Sequence, residues 1–473
     1  MTGTEKTIAI VGGGITGLSA AYFIQQYIKQ ENKPIKLILI EKENRLGGSI
    51  LTVEKNGFII EGGPDCFLSE KPEAVQLCHH LGIQDQLIGT NKGVKGIFIL
   101  SNGKLRELPD GFMLVAPTSF SSFIKNPLIT PRGKLRMAMD LILPAKKSEE
   151  DESLAQFVTR RLGKEVLEKI AEPLVAGIHA ADPKTMSVKS TFPRLLDLEK
   201  NHRSLILGLI KRKKIFASQE PSSSSTMFMT LRKGLVTLIN ALANSLPSEI
   251  IIVGDRVVEV KKKSDLSHYI LRLEGGRTLA ANSVLFATPA FVSAWLIKPI
   301  DHRLAQELSS INYISTATIS LAYSKKSIPF SLNGFGFVVP QIEKRKIMAC
   351  TWSSVKFAHR APEDSILIRC FVGGVKNEDL IYLGENDLIS IVCQELREIM
   401  KITAEPLLVE VFRWPKAMPQ YNVGHEEKIK KIENQLHHNP GIFLAGSAYH
   451  GIGISDCIKS GKRAALATIK FLS

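Results

Sequence analysis

The run Ile8-Ala9-Ile10-Val11-Gly12-Gly13-Gly14-Ile15-Thr16-Gly17 decides the fold of this chain. Four apolar residues end in glycines, Leu18 to Tyr27 reads as a helix, and Leu37 to Ile40 is a second apolar run ending at Glu41. Strand, helix, strand in this order predicts a parallel β-α-β unit. Residues 12–17 fit the pattern G-x-G-x-x-G where it has physical meaning, after a strand and at the mouth of a helix. Gly12 permits the tight turn, Gly14 lets the backbone approach a pyrophosphate at the helix N-terminus, and Gly17 allows close packing of helix on strand. Glu41 is placed to accept hydrogen bonds from an adenosine ribose. The hexapeptide alone is weak evidence, since glycine-rich turns recur by chance, but its strand-helix-strand-Glu context predicts a dinucleotide site.

Around this unit the chain is long, 473 residues with 44% hydrophobic content, and is expected to form several domains from interleaved segments. No apolar run is long enough to cross a bilayer, and Met1 to Lys6 lacks a signal-peptide core, so the expected location is the cytoplasm. Six scattered cysteines without a C-x-x-C pair, and eleven histidines without H-E-x-x-H, encode neither a disulfide framework nor a metal site. Lysine and arginine exceed aspartate and glutamate by 61 − 46 = 15, which favours an anionic partner. The basic stretch Lys200 to Lys214 is interrupted by SLILGLI and reads as a solvated face; no nucleic-acid module is present and no nucleic-acid partner is expected.

Further along, Phe112 to Lys147 mixes prolines with apolar clusters and Leu154 to Ala171 looks helical, which predicts a helical insertion between about 117 and 200. Pro221 to Thr226 (PSSSST) is the best linker candidate. A helix is expected over Leu231 to Leu246, a strand pair over Ile250 to Val260, and a buried strand over Val284 to Ala287. The alternating segments Phe335 to Val339 and Ile366 to Val372 predict a mixed or antiparallel sheet.

The element Arg45-Leu46-Gly47-Gly48 separates two kinds of dinucleotide. It resembles the R-x-G-G turn that follows the Rossmann unit in the amine-oxidase and desaturase superfamily of flavoproteins, and a plain nicotinamide dehydrogenase has no use for it. No second G-x-G-x-x-G is present, so electrons are expected to come from the substrate and leave to oxygen or another direct acceptor. Near the C-terminus, Phe443 to Asp456 (FLAGSAYHGIGISD) reads as a buried strand ending in glycines before a helix. Backbone amides at such a helix start can stabilise negative charge on a flavin or its phosphates.

The chain as a whole resembles the bacterial oxygen-dependent porphyrinogen oxidases of haem biosynthesis. The blocks that carry the resemblance are VGGGITGLSAAY (11–22), EGGPDCF (61–67), AMDLILPA (138–145), STFP (190–193), HRSLILG (202–208), GFGFVVP (334–340), MPQYNVGH (418–425) and the C-terminal block. The resemblance implies an α/β (α+β overall) fold: a Rossmann-like FAD-binding domain (1–48, 228–292 and 408–473), interleaved with a mixed-sheet substrate domain (49–116, 201–227 and 293–407) and a helical insertion (117–200) that touches membrane in relatives. It implies FAD held noncovalently, and so no covalent link to Cys457. The positions expected to line it are Gly12, Gly14, Ile15, Thr16, Gly17, Glu41, Lys42, Arg45, Gly47, Gly48, Gly62, Gly63, Pro64, Asp65, Val257, Trp414, Gly446, Ile452, Gly453 and Ile454. Val257 would meet the adenine through its backbone, Trp414 would pack near the flavin, and Ile452 to Ile454 would lie beside its ring.

The implied substrate is a porphyrinogen, oxidised by hydride loss from a ring carbon with oxygen as acceptor and hydrogen peroxide as the other product. Aromatisation drives such chemistry, so positioning dominates and no acid-base catalyst is nominated. Gly177, in Ala176 to His179, would present a backbone carbonyl near the reacting carbon, with Val338 and Phe357 as apolar walls. Read without the resemblance, Val338 and Phe357 are ordinary core, and His179 and His450 are satisfied interior histidines. Lys71 is either a propionate partner or a surface lysine. Ser447, Ser455 and Ala181 depart from the family's usual residues, which loosens the fine geometry. The mitochondrial and plastid branch carries an arginine where this chain has Ile97, which favours coproporphyrinogen III, a tetrapropionate, over protoporphyrinogen IX. Other superfamily oxidases and a noncatalytic porphyrin carrier are the remoter readings. Peripheral contact with the inner membrane face and hand-over of product to the next enzyme of the pathway complete the expectations.

Overall fold

The computed structural model describes residues 5–94, 96–108, 127–217, 226–263 and 268–472, with the short strand pair Phe112–Met113 and Ala116–Pro117. Strand β1 (Lys6–Val11), helix α1 (Ile15–Glu31) and strand β2 (Ile35–Ile40) form the expected unit, with β1 and β2 parallel and Ile8 opposite Leu37. Alternation sets the two faces. Ile8, Ile10, Leu37 and Leu39 enter one apolar cluster, while Ala9, Val11, Ile38 and Ile40 enter another. A strand buried on both sides reads as a continuous apolar run, which is why these segments stand out in the sequence.

Three later segments complete the sheet, in the order Ile251–Ile252, β2, β1, Ser283–Phe286, Ile442–Leu444, all parallel. One sheet thus joins the start, middle and end of the chain. The C-terminal helix Ile454–Leu472 lies against α1, and a Cβ on Gly461 would come within 2.4 Å of the Thr16 carbonyl oxygen, so the two helices touch backbone to backbone there.

A second, seven-stranded sheet runs Leu408–Pro419, Tyr313–Ser324, Ser365–Gly373, Ile347–Thr351, Gly336–Val338, Phe98–Ser101, Lys104–Glu107. It is mixed: only the pairing of Gly336–Val338 with Phe98–Ser101 is parallel. The helical unit packs on it through a cluster in which Phe157, Leu162, Val175 and Leu195 meet Val338 and Ala349. Leu205, Ile206 and Leu209 join the same cluster, so helical packing continues past residue 200.

Two local expectations are adjusted. Leu154 to Ala171 is helical with one break: helix Leu154–Leu162 ends at Gly163, where φ is +97°, and a second helical run begins at Lys164–Val166 and continues through a π-helical turn, Leu167–Ala171, into Glu172–His179. The Arg136 guanidinium donates to the carbonyls of Thr159, Arg160 and Arg161, satisfying the exposed helix end. The expected helix from Leu231 is strand Phe228–Leu231 followed by helix Val236–Asn244, because Phe228 to Leu231 pairs on both sides with Phe67–Leu68 and Leu87–Gly89. Residues 221–225 of the expected linker lie outside the described residues.

Candidate active site

The glycine turn after β1 is sterically specified. Gly12 has φ +109°, and a Cβ on Gly17 would lie 1.9 Å from the Gly12 carbonyl oxygen. Helix α1 starts at Gly14 with no side-chain cap and no acidic residue in its first turn, with Ile15, Thr16 and Gly17 buried. Its first amides and positive end face outward from the turn, as an anion site requires. The second glycine turn docks on the first: Gly47 N–H donates to the Gly13 carbonyl at 2.9 Å, and Gly14 pairs with Gly47 as a parallel bridge. Arg45 holds this turn closed, donating to the Gly48 carbonyl at 2.7 Å, while Lys42 pairs with Glu43 at the surface. The Glu41 carboxylate accepts from Gly13 N–H at 2.7 Å and Glu43 N–H at 2.9 Å. Val257 is buried at the start of the strand Val257–Lys262.

Gly62, Gly63, Pro64 and Asp65 lead away from the strand Phe58–Glu61 along the seam between the two sheets. The Gly62 carbonyl accepts from the Trp414 indole at 2.8 Å, from the Thr318 hydroxyl at 2.7 Å and from Arg369, which also donates to the Gly63 carbonyl. Asp65 pairs with Lys356 at 3.0 Å. Burial alone would raise its carboxyl, but Lys356 and then Arg369 hold it well below the usual carboxylate range. Burial, reinforced by Asp65, pushes the neighbouring Cys66 thiol up to about 12. The closing segment sits on the other side of the cradle. Gly446 N–H donates to Ser460 Oγ at 3.0 Å, and Gly453 N–H donates to Asp456 Oδ2 at 3.3 Å just before the C-terminal helix starts at Ile454. Lys71 pairs with Asp456 at 2.6 Å.

Of the residues expected to meet substrate, Gly177 lies in the last turn of helix Glu172–His179, where carbonyls lack intrahelical partners. A Cβ there would meet Val338 at 3.2 Å, so these two expected residues are in contact, with Ala349 beside them. Ile97 packs against the same cluster. Phe357 takes a different place: it is 2% exposed, and its ring lies 4.9 Å from the Lys356 ammonium and 5.9 Å from the Arg360 guanidinium. Burial, with Lys71 nearby, lowers His179 to about 4, so it is a neutral imidazole at pH 7. Burial also lowers His450, which pairs with Glu433 at 3.4 Å.

The family model described as flavin containing amine oxidoreductase matches residues 15–469. The chain belongs to that family. Among its relatives, the coproporphyrinogen III oxidase of Bacillus subtilis (strain 168) is 38% identical, covering 100% of both chains. That of Staphylococcus aureus (strain NCTC 8325 / PS 47) is 33% identical over 97% of this chain and 98% of its own. The chloroplastic protoporphyrinogen oxidase of Nicotiana tabacum is 29% identical over 99% and 86%. A crystal structure from Exiguobacterium sp. 255-15, assigned provisionally to protoporphyrinogen oxidase, superposes with a TM-score of 0.87 at 32% identity, covering 99% and 100% of the two chains.

The cofactor of this flavin oxidoreductase is FAD. The uncapped start of α1 and the paired glycine turns suit its pyrophosphate. Reading the sequence alone misses Lys356, Arg369, Gln420, Tyr421 and Asp456. Arg369 had a usable signal, a charge inside the apolar strand SILIRCFVG. Gln420 and Tyr421 stand in the block MPQYNVGH without any local feature that marks what they touch.

Proposed function

We propose that this protein oxidises coproporphyrinogen III to coproporphyrin III, with oxygen as electron acceptor and hydrogen peroxide as the second product. The observation that carries this reading is the 38% identity to a coproporphyrinogen III oxidase along the entire length of both chains. The packing of Ile97 against the apolar cluster that holds Val338 and Ala349 supports it, because Ile97 stands where the mitochondrial and plastid branch carries an arginine.

In this reading FAD supplies the two-electron acceptor, and the protein supplies position. Gly12, Gly14, Ile15, Thr16 and Gly17 would hold the pyrophosphate with Gly47, Gly48 and Arg45 behind them, and the Glu41 carboxylate would accept from ribose hydroxyls. Lys42 would flank that ribose, and Val257 would meet the adenine. Gly62, Gly63, Pro64, Asp65, Trp414, Gly446, Ile452, Gly453 and Ile454 would line the ring. The carbonyl end of helix Glu172–His179, at Gly177, attracts the pyrrole N–H groups of the macrocycle and so orients the carbon that loses hydride. Val338, in contact with Gly177, keeps water from that carbon, Phe357 backs the Lys356 side of the seam instead, and Lys71 engages a propionate at the mouth. Three such two-electron steps remove three hydrides from methylene bridges and three protons, two from pyrrole nitrogens and one from the remaining bridge, which leaves the aromatic ring with two N–H groups and reduces three oxygen molecules to peroxide.

A peripheral membrane contact is part of the proposal. No helix among the described residues is long and apolar enough to span a bilayer. Leu135, Met139 and Ile142 are exposed in one row at spacings four and three, with exposed Leu207 on a helix that packs beside them. Arg132, Lys147, Arg203 and Lys211 are exposed around them. An apolar row ringed by cations suits an anionic lipid surface.

Steady-state rates with both porphyrinogens test the substrate. The tetrapropionate is expected to turn over faster with stoichiometric peroxide; a strong preference for protoporphyrinogen IX would overturn that choice. Cosedimentation with phosphatidylglycerol vesicles tests the surface, and Ile142→Asp is expected to abolish it.

A further inference from the structure

The segment Pro419 to His425 touches all three parts of the molecule at once. Gln420 N–H donates to the Asn312 carbonyl at 2.8 Å, just before the sheet strand Tyr313–Ser324. The Tyr421 carbonyl accepts from Ser187 N–H at 2.8 Å, and Val423 N–H donates to the Thr185 carbonyl at 2.9 Å, both in the helical unit. Its side chains reach the two places that matter most for the reaction.

The Tyr421 hydroxyl donates to the Ser447 carbonyl at 2.6 Å and accepts from Gly451 N–H at 2.7 Å, spanning the loop that leads into Ile452 to Ile454. His425 stacks on the Tyr421 ring at 4.0 Å, with 11° between planes, and its Nε2 lies 3.2 Å from the Tyr449 carbonyl. Burial lowers His425 to about 4, so near pH 7 the ring is neutral, and the tautomer protonated on Nε2 can donate to that carbonyl. Three backbone atoms of one loop are thus tied to two side chains four residues apart. On the opposite side, Gln420 Nε2 donates to the His179 carbonyl at 3.3 Å, the end of the helix that carries Gly177. Tyr421 and Gln420 are adjacent and both buried, 6% and 7% exposed, so neither connection runs through solvent or a flexible linker.

We infer that Gln420 and Tyr421 are positioning residues that set the spacing between the flavin-closing loop Ser447 to Ile454 and the substrate-orienting carbonyl end at Gly177 to His179. This rests on the proposed porphyrinogen oxidation. Hydride transfer depends steeply on the separation of donor carbon and acceptor atom, and one rigid dipeptide bonded to both supports removes the slack that separate loops would allow. The alternative role, plain structural glue, would change stability without changing the ratio between binding and chemistry.

The two roles separate in the holoenzyme, by mixing Tyr421→Phe and Gln420→Met with coproporphyrinogen III under anaerobic conditions and following bleaching of the flavin absorbance. Tyr421→Phe keeps the stack on His425 and loses both loop bonds; Gln420→Met keeps the volume and loses the bond to His179. The expected signature is a bleaching rate constant lower by about 10- to 100-fold, the larger loss in Tyr421→Phe, on the order of what an ångström of misplacement costs. Half-saturation by substrate should change less than about twofold, and deuterium at the methylene bridges should slow the variants more than the wild type. FAD content and the visible circular dichroism of the flavin monitor folding. Loss of rate that disappears at saturating added FAD, or bleaching within about twofold of wild type in both variants, would overturn the inference. If neither coproporphyrinogen III nor protoporphyrinogen IX bleaches the wild-type flavin, the proposed function itself has failed.

Discussion

Two buried arginines, one in the helical unit and one on the seam beside the flavin cradle, solve the same physical problem in different ways. Arg161 is fully buried; its Nε and Nη2 meet Asp140, Nη1 reaches the Pro144 carbonyl and Glu199, and Nη2 also donates to the Arg203 carbonyl. Asp140 is in turn bonded by the Ser204 hydroxyl and the Ile206 amide. Each cation there has a carboxylate within the unit, Arg160 on Glu199 and Glu152 and Arg161 on Asp140, and among the described residues the one buried donor these groups leave over is the Arg160 Nε–H. Arg369, 3% exposed, donates to the Gly62 and Gly63 carbonyls through one nitrogen and lies over the Phe371 ring, but its Nε–H has no partner. Among the described residues, the carboxylates that act on Lys356, Arg360 and Arg369 are Asp65 and Glu61. The helical network is charge-balanced and reads as a staple; the seam network sets three cations against two carboxylates beside the Gly62 to Asp65 segment proposed to line the flavin, the kind of arrangement that belongs to a working site.

Breaking the staple should give the largest effect. Arg161→Met leaves the fully buried Asp140 carboxylate without its cation, while Glu199 keeps Arg160, and is expected to cost about 3–5 kcal/mol, seen as loss of soluble protein or a large drop in denaturant midpoint. Adding Asp140→Leu should recover part of that; if the double variant is worse than the single one, the staple account is wrong. A smaller but more specific loss is expected at the glycine turn. Gly17→Val forces a side chain into the Gly12 carbonyl, so the purified protein should lose most of its yellow absorbance while its helix content by circular dichroism stays near wild type. At the seam, Lys356→Met leaves Asp65 and Arg369 facing each other and should be tolerated better than Arg161→Met. A midpoint drop equal to that of Arg161→Met would erase the contrast between the two networks.

The glycine cradle was legible because its parts lie within about forty residues and each has a local cause: an apolar run for a two-sided strand, glycine where a carbonyl leaves no room, Glu41 where the second strand stops. The closing segment was legible for the same reason. The substrate side was named only through resemblance, since Gly177 and Val338 meet across 161 positions of sequence and no periodicity announces that contact. Arg161 was hidden inside a helix pattern in which a basic residue normally marks the solvated face. The break at Gly163 escaped because one glycine in a helical pattern is usually tolerated, and the tertiary hold of Arg136 on the carbonyls before it decides otherwise. Tyr421 shows the limit most clearly: its role lies in two backbone atoms of a loop thirty residues on, and nothing in its own neighbourhood specifies them.

The finest test of the contrast is a pH dependence, because the two networks hold a carboxylate in opposite ways. Burial would raise Glu199 in the staple, but Arg160 bonded to it brings it below the ordinary value. Such a group adds stability that is present at neutral pH and lost only as acid protonates it, so from pH 5 to 8 its contribution is flat. Glu61 on the seam is raised to about 7, first by burial, which the Thr52 hydroxyl, the Leu235 amide, Arg360 and Arg369 only partly offset. Its folded value lies above the unfolded one, so the unfolded chain binds fewer protons between about 4.5 and 7, and stability falls as pH rises through that window. Glu61→Gln is neutral at every pH and escapes the loss. The stability of Glu61→Gln relative to wild type should therefore climb between pH 5 and 8, by up to about 3 kcal/mol if the full shift is expressed. The same difference for Glu199→Gln should stay level. Urea midpoints at four pH values decide it: a level line for Glu61→Gln would mean that the seam carboxylate is ionised throughout and as fully compensated as the staple, removing the electrostatic distinction between the two regions.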